Sequence, residues 1–169
     1  MDLSETAEPR IYVVVADIVQ TELTAISTGF SPSVLIPSLD TLNIAQPAGR
    51  MAAQAAHAVS MVRVAMVEQE LRAAFQRMGK YKDVKTFLLS KVHFQPITTI
   101  ILEARDSFEL AHVLGLLHRE RISVEQFEDF NPEAYGTQKS VRTAIATWPV
   151  KPREVAGILD YLPLALREG

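Results

Sequence analysis

The chain has 169 residues and a globular composition, with 48% hydrophobic and 22% charged residues. This balance excludes a disordered chain, and the lack of cysteine in the sequence excludes disulfides and thiolate metal sites. The formal net charge of −3 by itself disfavours a nucleic-acid partner, so the distribution of charge along the chain becomes the informative quantity.

The length and the apolar segments predict the domain organisation. The length suits one domain, placed at residues 11–169 after a disordered lead-in at residues 1–10. The polar, acidic N-terminus lacks the order of a signal peptide, and the longest apolar runs are far shorter than a membrane span. We therefore expect a soluble, cytoplasmic protein without a membrane partner.

The first half of the chain predicts a strand, an insertion and a long helix. Residues 11–19 are rich in β-branched side chains, which predicts a buried strand. Glycine and three prolines interrupt residues 20–47, which we interpret as an insertion, a long loop with a short extra strand. Residues 48–78 are mainly good helix formers without proline and predict a long helix, and a short helix is predicted within residues 80–92.

The next two elements are a strand and an amphipathic helix. Residues 97–104 are rich in β-branched side chains and predict a strand. Asp106 or Ser107 can cap a helix that runs through Arg119. The apolar face of this helix consists of Leu110, Val113, Leu114 and Leu117.

Two strands and a helix complete the predicted order β-α-β-α-β-β-α. The strands are predicted at residues 122–127 and 141–148, and the helix at residues 151–166 with a disturbance at Pro163. Strands separated by helices imply parallel pairs, and two successive strands imply an antiparallel pair. The predicted fold is therefore α/β, with a mixed four-stranded sheet that is mostly parallel, one antiparallel pair and helices on both faces.

The stretch GRMAAQAAHA, residues 49–58, lines up three polar side chains at the start of the long helix. Arg50, Gln54 and His57 are spaced by four and three residues, so they share one helix face. The unpaired N–H groups at a helix start favour an anion or a developing oxyanion. The same spacing also suits a surface arginine and a histidine packed under a loop, so spacing alone does not indicate an enzyme.

Charge is distributed unevenly along the chain. Residues 50–91 contain eight Lys or Arg against three acids, a local balance of +5 that leaves −8 on the remainder. This asymmetry suits a basic, polyanion-binding face, and equally a solvated helix with ordinary lysines. Elsewhere, Glu128 and Asp129 follow a predicted strand, where an acid is either a general base or the start of a loop.

The motif AGRMAAQAAHA resembles the signature of the archaeal and eukaryotic type 2 peptidyl-tRNA hydrolases, in which Gly-Lys-x-Ala-Ala-Gln-x-x-His-Ala opens the first helix. The strand that ends at Asp129 and the segment TAIATWP, residues 143–149, also resemble that family. The likeness spans roughly residues 10–166. The matching residues of the motif are Gly49, Ala52, Ala53, Gln54, His57 and Ala58.

The resemblance implies an esterase that hydrolyses the bond between peptide and tRNA in peptidyl-tRNA and so recycles tRNA. It implies tRNA as the partner, a homodimer, and no metal or organic cofactor. Asp129 is then the base or the water-orienting group, and His57 is a partner acid/base or a ligand to the ester. Arg50 stabilises the oxyanion or a tRNA phosphate, and Thr143 positions water or substrate.

The substrate-binding residues implied by the resemblance extend along the same helix and into the loop after Asp129. Gln54 holds the geometry of the cleft, and Gly49 belongs to the same motif. Thr137 is a second candidate for the role of Thr143, because the intervening segment is about two residues longer than the family pattern. Arg63 is assigned to substrate binding within the basic run.

Three departures from the family pattern support an alternative, a non-catalytic binding or regulatory module with a decayed site. Arg50 replaces the family's lysine, and an arginine does not lose its proton. Asp129 is followed by Phe130 and an asparagine instead of Ala-Gly. The insertion at residues 20–47 lies next to the expected cleft. A small-molecule-sensing domain built on residues 97–127 is a third, weaker interpretation.

Overall fold

Four strands and three helices form the part of the chain that the computed structural model describes, residues 7–16, 47–78, 96–130 and 138–165. Residues 1–6 of the expected lead-in, the insertion except Pro47, the short helix within 80–92 and Thr137 lie outside these residues. The elements are β1 Ile11–Ala16, α1 Pro47–Met78, β2 Thr99–Ala104, α2 Ser107–Arg119, β3 Val124–Asp129, β4 Val141–Thr147 and α3 Pro152–Leu159.

The sheet has the order β2-β1-β4-β3. The α/β class and the mixed four-stranded sheet agree with the prediction from the sequence. The prediction of a mostly parallel sheet is wrong, because β1 pairs with β2 in parallel whereas β4 is antiparallel to both of its neighbours. β4 lies between β1 and β3, so it separates two strands that point in the same direction.

Burial of both faces of β1 places helices on the two sides of the sheet. Successive side chains of a strand point to opposite faces, and every residue of β1 is buried. One set of alternate side chains packs against α1, and the other set packs against α2 and α3. The set facing α1 is Ile11, Val13 and Val15, and the set facing α2 and α3 is Tyr12, Val14 and Ala16.

The long helix α1 begins one residue before its predicted start and ends at the predicted residue. Its contacts with the sheet include Ala55, Ala58 and Val62, which are buried against β1 and β4. Small side chains at these positions let the helix axis approach the sheet closely. The start of the helix, which carries the polar motif, is therefore held against the strands.

Helix α2 has the predicted cap and the predicted apolar face. Asp106 is the N-cap residue, and its carboxylate accepts a hydrogen bond from the N–H of Glu109 at 2.8 Å. This bond lowers the pKa of Asp106, because it stabilises the charged carboxylate. The four leucine and valine side chains predicted to face the core are all buried.

The last helix is shorter than predicted. α3 ends at Leu159, where the prediction extended it to residue 166. Pro163 has no backbone N–H to continue a helix, and the chain instead lies along the edge of β2. The N–H of Glu103 donates to the carbonyl of Pro163 at 2.9 Å, and the N–H of Ala165 donates to the carbonyl of Ile101 at 3.0 Å. These bonds satisfy backbone groups of an edge strand.

We predict that Asp106→Ala lowers the free energy of unfolding by about 1 kcal/mol at pH 7, the usual cost of losing an N-cap. Because the folded pKa of Asp106 is lowered, its stabilisation is present above the ordinary aspartate value and is lost as the pH falls through the lowered value. Urea unfolding across acidic pH measures this difference. Asp160→Ala, at the exposed end of α3, is the control with little effect, and a loss independent of pH would contradict the assignment.

Candidate active site

The predicted site residues come from three elements that meet at one end of the sheet. β1, β2 and β3 point the same way, so their carboxyl ends lie together at the end where β4 begins. Asp129 is the last residue of β3, two residues beyond the predicted end of that strand. Thr143 lies near the beginning of β4, and Gln54 lies near the beginning of α1.

The side chain of Gln54 joins the other two residues. Its Nε2 donates a hydrogen bond to Oδ2 of Asp129 at 3.2 Å, and its Oε1 accepts a hydrogen bond from the hydroxyl of Thr143. An ionised carboxylate only accepts hydrogen bonds, so the amide nitrogen must face Asp129 and the amide oxygen must face Thr143. The amide of Gln54 therefore donates to the carboxylate of Asp129 and at the same time accepts from the hydroxyl of Thr143.

A β-bulge turns Thr143 towards α1. The pairing of β3 with β4 shifts by one residue after Phe127, and Thr143 is the extra residue of β4 at this point. In a regular strand, Thr143 would share a face with Ile145, whose side chain packs with α2 and α3. At the bulge the Thr143 hydroxyl instead reaches Gln54 of α1. The side chain is 2% exposed, so this bond satisfies a buried hydroxyl.

His57 lies beside this cluster and contacts a residue that the sequence did not indicate. Its exposed imidazole stacks on the ring of Phe127, with the ring centroids 4.8 Å apart and the planes 12° from parallel. Phe127 precedes Asp129 by two residues, so both side chains lie on the face of β3 that meets α1. Within the described residues, His57 makes no hydrogen bond to Asp129.

The remaining site candidates occupy different surroundings. Gly49 and Arg50 lie in the first turn of α1, and Arg50 shares a helix face with Gln54 because it precedes Gln54 by four residues. Arg63 follows His57 by six residues, which places the two side chains on different faces of the helix. Arg50 therefore lies on the helix face that carries the cluster, and Arg63 lies on a different face.

A groove of about 370 Å³ begins at His57 and runs between α1 and β3. His57 is the residue that the groove shares with the predicted site. Phe127 and Glu125 form the wall contributed by β3, and the indole N–H of Trp148 donates to Oε1 of Glu125 at 3.0 Å. The groove is lined by His57, Ser60, Met61, Val64, Ala65, Glu68, Glu125 and Phe127.

A pattern in the sequence of β3 indicates two residues beside the site, Glu125 and Phe127, that the helix motif does not indicate. Glu125, Phe127 and Asp129 alternate along β3, and this period of two places them on one face of the strand. The sequence predicts the end of the strand at Phe127 and leaves Asp129 either a general base at the strand end or the start of a loop, so the shared face is not part of that prediction. The partner of His57 follows from that alternation once the full strand is known.

Comparison with models of protein families finds no match for this chain, and comparison with curated proteins finds none either. In the described ranges, no group of three or more histidine or acidic side chains is arranged to hold a metal ion. None of the helices seen in those ranges has both the length and the apolarity needed to cross a bilayer.

We predict that Gln54→Glu lowers the free energy of unfolding by about 1–2 kcal/mol at pH 7, because two carboxylates would then meet in a partly buried site. Repulsion raises the pKa of the pair, so the loss is present above that raised pKa and shrinks as the pH falls below it. Chemical denaturation at neutral and acidic pH measures both effects. Gln69→Glu, on an exposed turn of α1, changes the net charge equally and should shift stability by less than about 0.5 kcal/mol. Equal losses in the two variants would refute the predicted contact.

Proposed function

We propose that this protein hydrolyses the ester bond between peptide and tRNA in peptidyl-tRNA. The proposal rests on the contact of Gln54 with Asp129 and Thr143, residues that lie 75 and 89 positions further along the chain. The sequence resemblance assigns roles to these three residues independently of their positions in space. Their convergence at the carboxyl end of β3, next to an exposed imidazole, suits a site for hydrolysis.

The proposed reaction uses Asp129 as the base. Asp129 takes a proton from a water molecule, whose oxygen attacks the ester carbonyl carbon and forms a tetrahedral intermediate. The guanidinium of Arg50 stabilises the oxyanion, or a nearby phosphate, through its permanent charge. The bond to the ribose oxygen then breaks, and the proton that Asp129 took from the water passes to this leaving group, directly or by way of His57, so that both residues return to their starting state. The net change is the addition of one water across the ester.

Gln54 and Thr143 act as positioning residues in this reaction. The hydroxyl of Thr143 is buried and donates to Gln54, so it is better suited to holding the amide than to orienting water. Gln54 in turn fixes one oxygen of Asp129.

The remaining parts of the proposal concern the partner and the assembly. tRNA binding would draw on the basic run that begins at Arg50, because phosphate contacts supply most of the affinity for nucleic acids. A homodimer, a cytoplasmic location and a reaction without a metal ion or an organic cofactor belong to the same proposal.

A non-catalytic binding module is the second candidate, and the position of His57 favours it. The imidazole stacks on Phe127 instead of bonding to Asp129, so in this arrangement the two groups do not form an acid–base pair. Such a module would bind its ligand stably at the same site without turnover.

We predict that Asp129→Asn lowers the rate of peptidyl-tRNA hydrolysis by about 10²–10⁴-fold while the protein stays folded, because an amide cannot take a proton from water. Release of the N-acetylated amino acid from an N-acetylated aminoacyl-tRNA measures the rate, and circular dichroism checks the fold. Glu128→Gln is the matched control, since this exposed neighbour on β3 should be dispensable. His57→Ala should also lose activity.

The outcomes separate the two candidates. Hydrolysis by the wild type that disappears in Asp129→Asn and persists in Glu128→Gln supports the enzyme. No hydrolysis by the wild type, beside an active hydrolase as positive control, rejects it. Retained binding of the substrate without turnover then supports the binding module. Wild-type rates in both Asp129→Asn and His57→Ala would reject the assigned roles.

A further inference from the structure

The groove between α1 and β3 combines apolar walls with negative charge. Val64 is 58% exposed and Met61 is also exposed, although both are large apolar side chains. Together with Ala65 and the half-buried Phe127 they form the apolar part of the lining. The volume of about 370 Å³ lies within the usual range of ligand sites.

Glu68 and Glu125 stand on opposite walls of the groove, one on α1 and the other on β3. Among the described residues that line the groove, none is a lysine or an arginine. The field in the groove therefore attracts a cation and repels a phosphate. This charge is opposite to that of the start of α1, where Arg50 lies, so the groove has a recognition chemistry of its own.

One of the two carboxylates is held in place. The indole N–H of Trp148 donates to Oε1 of Glu125 at 3.0 Å, which fixes the side chain at the sheet edge. A group that is already ordered costs less entropy when a ligand binds it. The second oxygen of Glu125 and the exposed carboxylate of Glu68 are then the natural contacts for a positive group.

The position of β3 in the sheet favours a peptide as the occupant. In the described sheet, β3 is an outer strand, and an outer strand is where an added strand can pair. Glu125 and Phe127 lie two residues apart on β3 and both face the groove. A peptide that pairs along β3 directs every second side chain to the same face, and hence into the groove.

We propose that this groove binds an extended peptide segment of a partner protein, with a lysine or arginine between two apolar side chains on one face. The basic side chain lies between Glu68 and Glu125, and the apolar side chains contact Met61, Val64 and Phe127. The backbone pairs with β3. This binding is separate from ester hydrolysis and does not require it.

Binding of a synthetic strand-forming peptide to the full chain tests the proposal. The probe is fluorescein-labelled Thr-Val-Thr-Lys-Thr-Val-Thr, and fluorescence anisotropy gives its dissociation constant. The same peptide with glutamate in place of lysine is the charge-reversed control. We expect the lysine peptide to bind at least about fivefold more tightly than the glutamate peptide, the scale of one accessible charge pair.

Two variants with the same change in net charge separate the groove from general attraction to an acidic protein. Glu68→Lys should weaken the lysine peptide by about fivefold or more, whereas Glu70→Lys should change it less than twofold. Both residues are exposed on α1, and only Glu68 lines the groove. Val64→Asp should weaken both peptides, because it places a charge in the apolar lining.

Three results would overturn the proposal. The first is no binding of the lysine peptide at millimolar concentration, and the second is an equal effect of Glu68→Lys and Glu70→Lys. The third is a wild-type dimer, seen by sedimentation, that dissociates on Val64→Asp, since it would assign the groove to a second copy of the chain. Loss of ester hydrolysis in any variant has no bearing on these results.

Discussion

The amide of Gln54 is the interaction on which the candidate site depends. It donates to the carboxylate of Asp129 and accepts from the hydroxyl of Thr143, so one neutral side chain satisfies groups of opposite hydrogen-bonding type. An apolar residue at this position would leave a buried hydroxyl unpaired, which costs about 1–3 kcal/mol. A lysine would leave the hydroxyl without its acceptor, and a glutamate would repel the carboxylate. The two neighbouring groups thus explain why a glutamine occupies position 54.

The topology of the sheet explains why these residues can meet. β4 lies between β1 and β3, which keeps the carboxyl end of β3 beside the beginning of β4. The bulge then rotates Thr143 out of the regular alternation and towards α1. Buried alanines hold the start of α1 close to these strands. His57 and Phe127, which stack on each other, belong to the same helix and strand as Gln54 and Asp129. Both rings also line the acidic groove, so they connect the hydrogen-bonded cluster with it.

The sequence predicted the features that depend on local periodicity. The long helix α1 and the buried face of α2 follow from side-chain spacing and composition, and the cap at Asp106 follows from its residue type.

Features set by contacts between distant parts of the chain do not follow from the sequence. The place of β4 in the sheet depends on which strand edge is free, and Thr143 reaches α1 only through a bulge that no local pattern signals. The end of α3 depends on the pairing of the chain near Pro163 with β2. The sequence alone predicts that Gln54 and His57 share a helix face. Their partners on β3 follow only when the pairing of β3 with β4 is known.

A double-mutant cycle on Gln54 and Asp129 tests the central contact most directly. The free energies of unfolding of Gln54→Ala, Asp129→Ala and the double variant are compared with that of the wild type at pH 7. A hydrogen bond between an amide and a carboxylate predicts a coupling of about 1 kcal/mol or more, so the double variant should lose less stability than the sum of the single losses. Losses that add to within about 0.3 kcal/mol would show that the two side chains do not interact, and the candidate site would lose the contact that assembles it.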